Sequence, residues 1–290
     1  MISVNKLAQF TILRSLKMAR NATLAKPVFN KLVGLISEPQ PNRLVIITGD
    51  KGGVGKSTFA RGLLHEYLER NEIPSVCEAD NSNPQVKRFY GNSGLNIQET
   101  DVTNANRLDE FIDILALQVS QEGEEPIKSG EKVLIDLPAQ SNQFFFNFIK
   151  DMNLFSILEE RLKIRTTMVV VFSRVKDCVT QLKQLYDVTG KNVDYIVVKN
   201  AFYGDEADFR RYNDSEIRKK IFSEGNCICE IEMPELIEHA FDYIDEKELT
   251  FEEAMQPGNK ISVEGRTKGW TKNFKTAIEP ALPLLGLDNA

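Results

Sequence analysis

The stretch Ile47-Thr48-Gly49-Asp50-Lys51-Gly52-Gly53-Val54-Gly55-Lys56-Ser57-Thr58 closes a short apolar run and opens a helical pattern. It nearly spells the phosphate-loop pattern G-x-x-x-x-G-K-[ST]. Counting back from Gly55-Lys56-Ser57 puts the first glycine of the pattern at position 50, where this chain has Asp50. The next residue, Lys51, is a second lysine inside the loop. A glycine-rich turn between a strand and a helix suits phosphate for a physical reason. Gly52, Gly53 and Gly55, with Val54 between them, let the backbone curl so that successive N–H groups point inward, and the helix start adds partial positive charge. Lys56 is spaced to reach the β- and γ-phosphates of a nucleotide, the Ser57 hydroxyl to ligate Mg²⁺, and Thr58 to add a donor.

Working outward, apolar runs alternate with helical patterns. Leu44–Thr48 is a strand, followed by a helix from Lys56 to about Arg70. Ser75–Ala79 reads as a second strand, Arg107–Leu117 as a helix, Gln121–Glu131 as a charged loop and Lys132–Ile135 as a third strand. Thr167–Phe172, almost wholly apolar, reads as a fourth and central strand, with a helix near Asp177–Val188. Tyr195–Lys199 and Ile228–Ile231 are a fifth and a sixth. Continuous apolar strands separated by helices predict a doubly wound, mostly parallel sheet covered on both faces. Residues 43–290 are expected to form this domain. Residues 1–42 are expected to form a basic, helix-prone extension that ends in the linker Ser37-Glu38-Pro39-Gln40-Pro41-Asn42, where two prolines stop a helix.

The chain has 290 residues, is 42% hydrophobic and carries a net charge of −6, so any contact with a polyanion has to come from a local patch. Residues 1–42 hold six cations and one acid, a net of +5, which leaves −11 for the remainder. That segment is open to three readings: a packed docking or dimerisation element, which we prefer, a membrane-surface helix, or a transit peptide. The four cysteines, Cys77, Cys178, Cys227 and Cys229, form no CxxC pair. Scattered thiols and the lack of a bilayer-length apolar run predict a reducing, cytoplasmic setting.

The motif KGGVGKST resembles the deviant Walker A motif of the ParA/MinD group of P-loop ATPases. The resemblance covers roughly residues 43–255 and implies the P-loop NTPase fold with ATP and Mg²⁺ as cofactors. It also implies a homodimer in which Lys51 acts across a nucleotide sandwich on the partner's phosphates. Further residues fall in family order. Asp136, ending VLID, matches the Walker B position, where a carboxylate holds Mg²⁺ through water. CEADNSNPQ resembles the first switch, with Asp80 orienting the attacking water and Glu78 as the other acid, although Pro84-Gln85 comes three residues late. DLPAQ resembles the second switch. Asn200, ending YIVVKN, resembles the strand-end asparagine that contacts adenine, and Pro234 more weakly suggests a base pocket.

The family reading therefore predicts a ParA-like ATPase that positions or segregates DNA or another cargo. It would work with an adaptor of the ParB kind, near the nucleoid in the cytoplasm. A conjugal-transfer accessory ATPase and a nucleotide-gated docking module with little hydrolysis are the alternatives. A nitrogenase-type electron carrier is disfavoured, because no cysteine lies between Cys77 and Cys178. Two basic stretches are candidate DNA-backbone contacts or plain solvated helix faces: Ile261–Thr276, with Trp270 and Phe274 interleaved, and Phe209–Lys220. With only His65 and His239 in the chain, no metal-ligand cluster stands out.

Overall fold

The computed structural model describes residues 42–49, 51–80, 83–119, 130–225 and 228–287. The extension expected over residues 1–42 lies outside them except for Asn42, as do Asp50, most of the 121–131 loop and Cys227. In chain order the elements are β1 (Asn42–Thr48), α1 (Lys56–Glu69), β2 (Ser75–Glu78), α2 (Gln85–Tyr90), β3 (Ile97–Glu99) and α3 (Ala105–Val119). Then come β4 (Lys132–Asp136), α4 (Asn142–Met152), α5 (Leu154–Leu162), β5 (Ile164–Phe172), α6 (Lys176–Thr189) and β6 (Asp194–Asn200). The chain continues through α7 (Arg210–Asn213), α8 (Glu216–Ser223), β7 (Ile228–Met233), α9 (Glu238–Lys247), α10 (Phe251–Ala254) and α11 (Ile261–Ile278), and a 3₁₀ stretch follows over Glu279–Leu285.

The seven strands form one sheet in the order β3-β2-β4-β1-β5-β6-β7. Every described pairing is parallel. Each residue of β1, β4 and β6 is buried, which requires cover on both faces and accounts for their unbroken apolar runs. This is the α/β fold of P-loop NTPases that the sequence predicts. Two details differ from the reading above. β3 is an additional, three-residue edge strand, and β1 rather than β5 holds the centre of the sheet.

The basic stretch 261–276 lies within α11, whose polar and apolar residues separate by face. Trp270 and Phe274, one turn apart, are buried, while Arg266, Lys268, Lys272 and Lys275 are exposed. The two rings stack at 5.0 Å, Phe274 meets Phe59 of α1 edge-on at 5.4 Å, and the Trp270 Nε1–H donates to the Pro234 carbonyl at 2.8 Å. Gly62 makes this approach possible, since a Cβ there would lie 2.8 Å from Phe274 and 2.9 Å from Trp270. Burying one such ring stabilises the fold by about 2 kcal/mol. These aromatics hold α1 in place and are closed to nucleobases.

Strand register brings the chemistry to one end of the sheet. Ile47 lies beside Asp136, Asp136 beside Glu78, and Asn200 beside Met233, all at the carboxyl ends of their strands. Open parallel sheets bind ligands at this end.

Candidate nucleotide-binding site

The loop between β1 and α1 is shaped by three glycines. Gly53 and Gly55 hold φ of +78° and +103°, left-handed values that cost L side chains energy. Gly55 directly precedes α1, and a Cβ there would sit 2.5 Å from the Asn200 side-chain nitrogen. Gly49 is needed for proximity, because a Cβ there would lie 3.0 Å from the Val171 carbonyl oxygen of β5. The close-approach glycine that the pattern places at 50 thus stands one residue earlier. Gly52 faces open space.

Two side chains from the end of β6 brace this loop. Asn200 donates from Nδ2 to the Val54 carbonyl at 2.9 Å and accepts the Phe202 backbone N–H at 3.1 Å. Its amide therefore fixes the loop to the sheet. Tyr203 donates its hydroxyl to the Gly53 carbonyl at 2.6 Å. Nothing in the sequence marks Tyr203.

Lys56 and Ser57 open α1, and the Lys56 side chain is buried. The Ser57 hydroxyl hydrogen-bonds the Asp136 carboxylate. Burial pushes Asp136 up to about 6, only partly offset by Ser57 and Lys56, and among the described residues its buried Oδ1 has no hydrogen-bond partner. An orphaned carboxylate oxygen beside a serine hydroxyl is a hard-oxygen donor set that fits Mg²⁺. Next to it, burial and the neighbouring Asp136 raise Glu78 to about 7. Glu78 accepts backbone N–H groups from Asp80 at 3.2 Å, Val86 at 2.8 Å and Lys87 at 3.3 Å. It caps the start of α2 and so anchors the segment that carries Asp80. The Asp80 carboxylate accepts the Asn83 N–H at 3.1 Å.

A cavity of about 360 Å³ runs along the loop. Gly52, Gly53, Gly55, Lys56, Ser57 and Thr58 line one side of it, and Asp80, Asn83 and Gln85 the other. Ala139, Arg61, Phe241 and Asp245 complete the wall. Of the sequence-derived residues, the loop, Lys56, Ser57, Thr58 and Asp80 meet here, with Asp136 beneath Ser57. Lys51 stands apart. Its side chain is 52% exposed and its Nζ lies 3.9 Å from Asp177 at the start of α6, so it points away from the loop's own cavity.

The remaining candidates resolve individually. Of the cations in 209–220, Arg218 is paired with Glu230 at 2.7 Å and Lys219 with Glu216 at 2.7 Å, leaving Arg210, Arg211 and Lys220 as exposed cations without a carboxylate partner among the described residues. Cys77, Cys178 and Cys229 are buried thiols. One cluster was missed: His65, Glu69 and Glu252 bring their ligand-type atoms within 4.8 Å of one another. The i, i+4 spacing of His65 and Glu69 is visible in the sequence, whereas Glu252 arrives from α10 through tertiary packing. Among the described residues no helix is long and apolar enough to cross a membrane.

No protein-family model matches the chain. The chain is 29% identical over 239 residues to Protein MobD of Acidithiobacillus ferrooxidans, covering 81% of this chain and 96% of that protein. Among solved structures, it is similar to a nucleotide-binding protein in complex with ADP from Archaeoglobus fulgidus, at TM-score 0.42 and 13% identity, covering 76% and 91% of the two chains. Chloroplast FtsY from Physcomitrella patens gives a TM-score of 0.39 at 12% identity, covering 77% and 74%. FlhF complexed with GTP and Mg²⁺ gives 0.40 at 14% identity, covering 81% and 86%. The likenesses to solved structures are distant, and the fold assignment rests on the sheet order and the phosphate loop.

Proposed function

We propose that this chain is a Mg²⁺-dependent ATPase that forms an ATP-bound sandwich homodimer and uses hydrolysis as a switch to position DNA or another macromolecular cargo. The observation that carries the reading is the contrast between the two loop lysines. Lys56 is buried at the start of α1, where a bound triphosphate would lie, while Lys51 projects outward. Its exposed pairing with Asp177 contributes well under about 1 kcal/mol and is readily exchanged. A triphosphate on a facing subunit would be a far stronger partner, so binding ATP would draw two loops together and losing the γ-phosphate would release them.

In this reading the loop N–H groups and Lys56 hold the phosphates, and Ser57 and Asp136 hold Mg²⁺. Bound Mg²⁺ would neutralise charge building on the phosphates. Asp80, on the opposite wall, orients the attacking water. The likeness to Protein MobD favours a role connected with plasmid mobilisation over chromosome partition. The exposed cations of α11 and the 209–220 segment are the surface offered to DNA, and residues 1–42 the segment offered to an adaptor. A docking module with little hydrolysis is the second reading, favoured by one contact: Asp80 is turned into its own loop by Asn83.

The test is sizing by light scattering. Wild type is expected to be dimeric with ATP·Mg²⁺ and monomeric with ADP, and Lys51→Ala monomeric with both. A wild-type chain that stays monomeric at saturating ATP rejects the dimer. Phosphate release that is lost in Asp80→Ala while ATP still binds would separate the ATPase from the docking module.

A further inference from the structure

We propose that Arg61 anchors an oxyanion subsite at the inner end of the cleft, deeper than the phosphate loop, for a phosphate-sized tetrahedral anion. Arg61 lies one helical turn below Ser57 on the same face of α1, since residues four apart on a helix share a side. It lines the cavity that holds Lys56, Ser57 and Asp80. Only 2% of the residue is exposed.

The surroundings of its guanidinium are lopsided. The Phe89 ring of α2 lies 3.4 Å from the central carbon, and the Phe251 ring of α10 lies at 5.1 Å. At 3.4 Å the Phe89 ring has to lie flat on the guanidinium, where it steadies the cation but cannot take its protons, because a guanidinium donates only in its own plane. Among the described residues Nε and Nη2 have no hydrogen-bond partner. These two nitrogens form one edge of the guanidinium, the edge that bonds two oxygens of a single phosphate or carboxylate side-on.

No neighbouring acid fills that role among the described residues. Asp245, the acid nearest in electrostatic effect, is bonded by Arg88, which also lies 3.8 Å from Glu248. Tyr90 donates its hydroxyl to the backbone carbonyl of Arg61, leaving the side chain unmet. Burial lowers the Arg61 pKa to about 10, the mark of a cation whose desolvation is uncompensated. Orphaned donors on a buried charge are costly, and an entering oxyanion would satisfy both with one molecule. Asp80 and Asp245 also face the cavity, so the anion is held weakly enough to leave.

The anion has two sources with the same chemistry: free inorganic phosphate, including that released by hydrolysis, and the terminal phosphate of a bound nucleotide. The inference rests on the nucleotide reading of the loop, and the experiment keeps the two separate. Inorganic phosphate is titrated calorimetrically into ADP·Mg²⁺-saturated wild type, Arg61→Met and Arg61→Lys, so that the loop is already filled. A non-hydrolysable ATP analogue is titrated into the nucleotide-free proteins in parallel.

Methionine fills the slot between the rings without a charge, and Arg61→Met should unfold no earlier than wild type when no anion is present. If the free anion is the ligand, phosphate binding weakens by about ten-fold or more in Arg61→Met and by less in Arg61→Lys. If the terminal phosphate is the ligand, Arg61→Met loses affinity for the triphosphate analogue and far less for ADP. Equal affinities in wild type and Arg61→Met in both arms overturn the proposal, as does an Arg61→Met chain that unfolds well below wild type and thereby marks Arg61 as a packing residue. If wild type binds no nucleotide, the function proposed above falls instead. Phosphate titration of the nucleotide-free wild type and Arg61→Met then still decides the role of Arg61.

Discussion

At the amino-terminal end of the sheet, Arg43 is wholly buried and bonds Asp194 at 2.6 Å and Thr167 at 3.2 Å. Arg165 grips the same carboxylate at 3.0 and 3.2 Å. The 3₁₀ stretch closes over them: Gly286, at φ +71°, lies against the stem of Arg43, and Thr167 donates to the Leu284 carbonyl at 2.5 Å. Burial pushes Asp194 up, yet the two arginines more than offset it, and its carboxyl titrates below the usual range. Arg165 is raised, its burial outweighed by Asp194 and Glu159. At the carboxyl end the shifts run the other way. Burial raises Asp136 and Glu78 and lowers Arg61, and in each case nearby groups fail to offset it. Among the described residues Arg43 also leaves Nε and Nη2 without hydrogen bonds, but its charge is met by a carboxylate. Both ends bury charge. One is complete in itself, and the other leaves its buried charges uncompensated.

Breaking the closed end should have the largest effect. Asp194→Ala leaves Arg43 buried beside no acid, and we expect a loss of about 3–5 kcal/mol in a urea unfolding curve. An equal stability in the variant would dissolve the contrast between the ends. At the open end the sign reverses. Asp136→Asn should stabilise the ligand-free fold at pH 7 by roughly 2 kcal/mol while weakening Mg²⁺-dependent nucleotide binding.

The pH dependence follows from the same shift. Asp136 has a folded pKa of about 6 against 3.8 ordinarily, so its contribution to stability is full below about pH 4 and lost as pH rises through 6. Glu78, raised to about 7, acts in the same direction. Wild type free of Mg²⁺ and nucleotide should therefore lose stability between about pH 4 and 7. Asp136→Asn should flatten that slope in unfolding midpoints, and an unchanged slope contradicts the assignment.

A smaller effect sharpens the comparison. Asn200→Ala frees the Val54 carbonyl from its tie to β6. Nucleotide affinity measured by fluorescence titration should fall by about three- to ten-fold with the fold intact, in line with one neutral hydrogen bond. A wholly unaltered affinity would mean that the loop keeps its shape unaided.

How much of this was legible beforehand varies along the chain. The loop was, because Gly53, Gly55, Lys56 and Ser57 are fixed by local backbone geometry and helix polarity. The parallel sheet was, because strands buried on both faces have to be apolar throughout. Strand order was not: apolarity reports burial and not neighbours, so β5 was expected at the centre that β1 occupies. β3 escaped notice because Ile97-Gln98-Glu99 is short, partly exposed and on the edge. The stretch 261–276 was read as a DNA-backbone contact or a solvated helix face because its cations are interleaved with Trp270 and Phe274, which hides the i, i+4 spacing that turns both rings inward. Arg61 was unreadable for a different reason. Arginine is ordinarily an exposed residue, and nothing local shows that Phe89 and Phe251 will close over it.

Calorimetric titration of Mg²⁺·ATP into the chain, beside Mg²⁺·GTP and a Lys56→Ala variant, tests most directly whether the open end of the sheet is completed by nucleotide. The account predicts one site per chain, ATP bound more tightly than GTP, heat that requires Mg²⁺, and a loss on the order of 100-fold in Lys56→Ala. Absence of binding by wild type, or equal binding by Lys56→Ala, would contradict it.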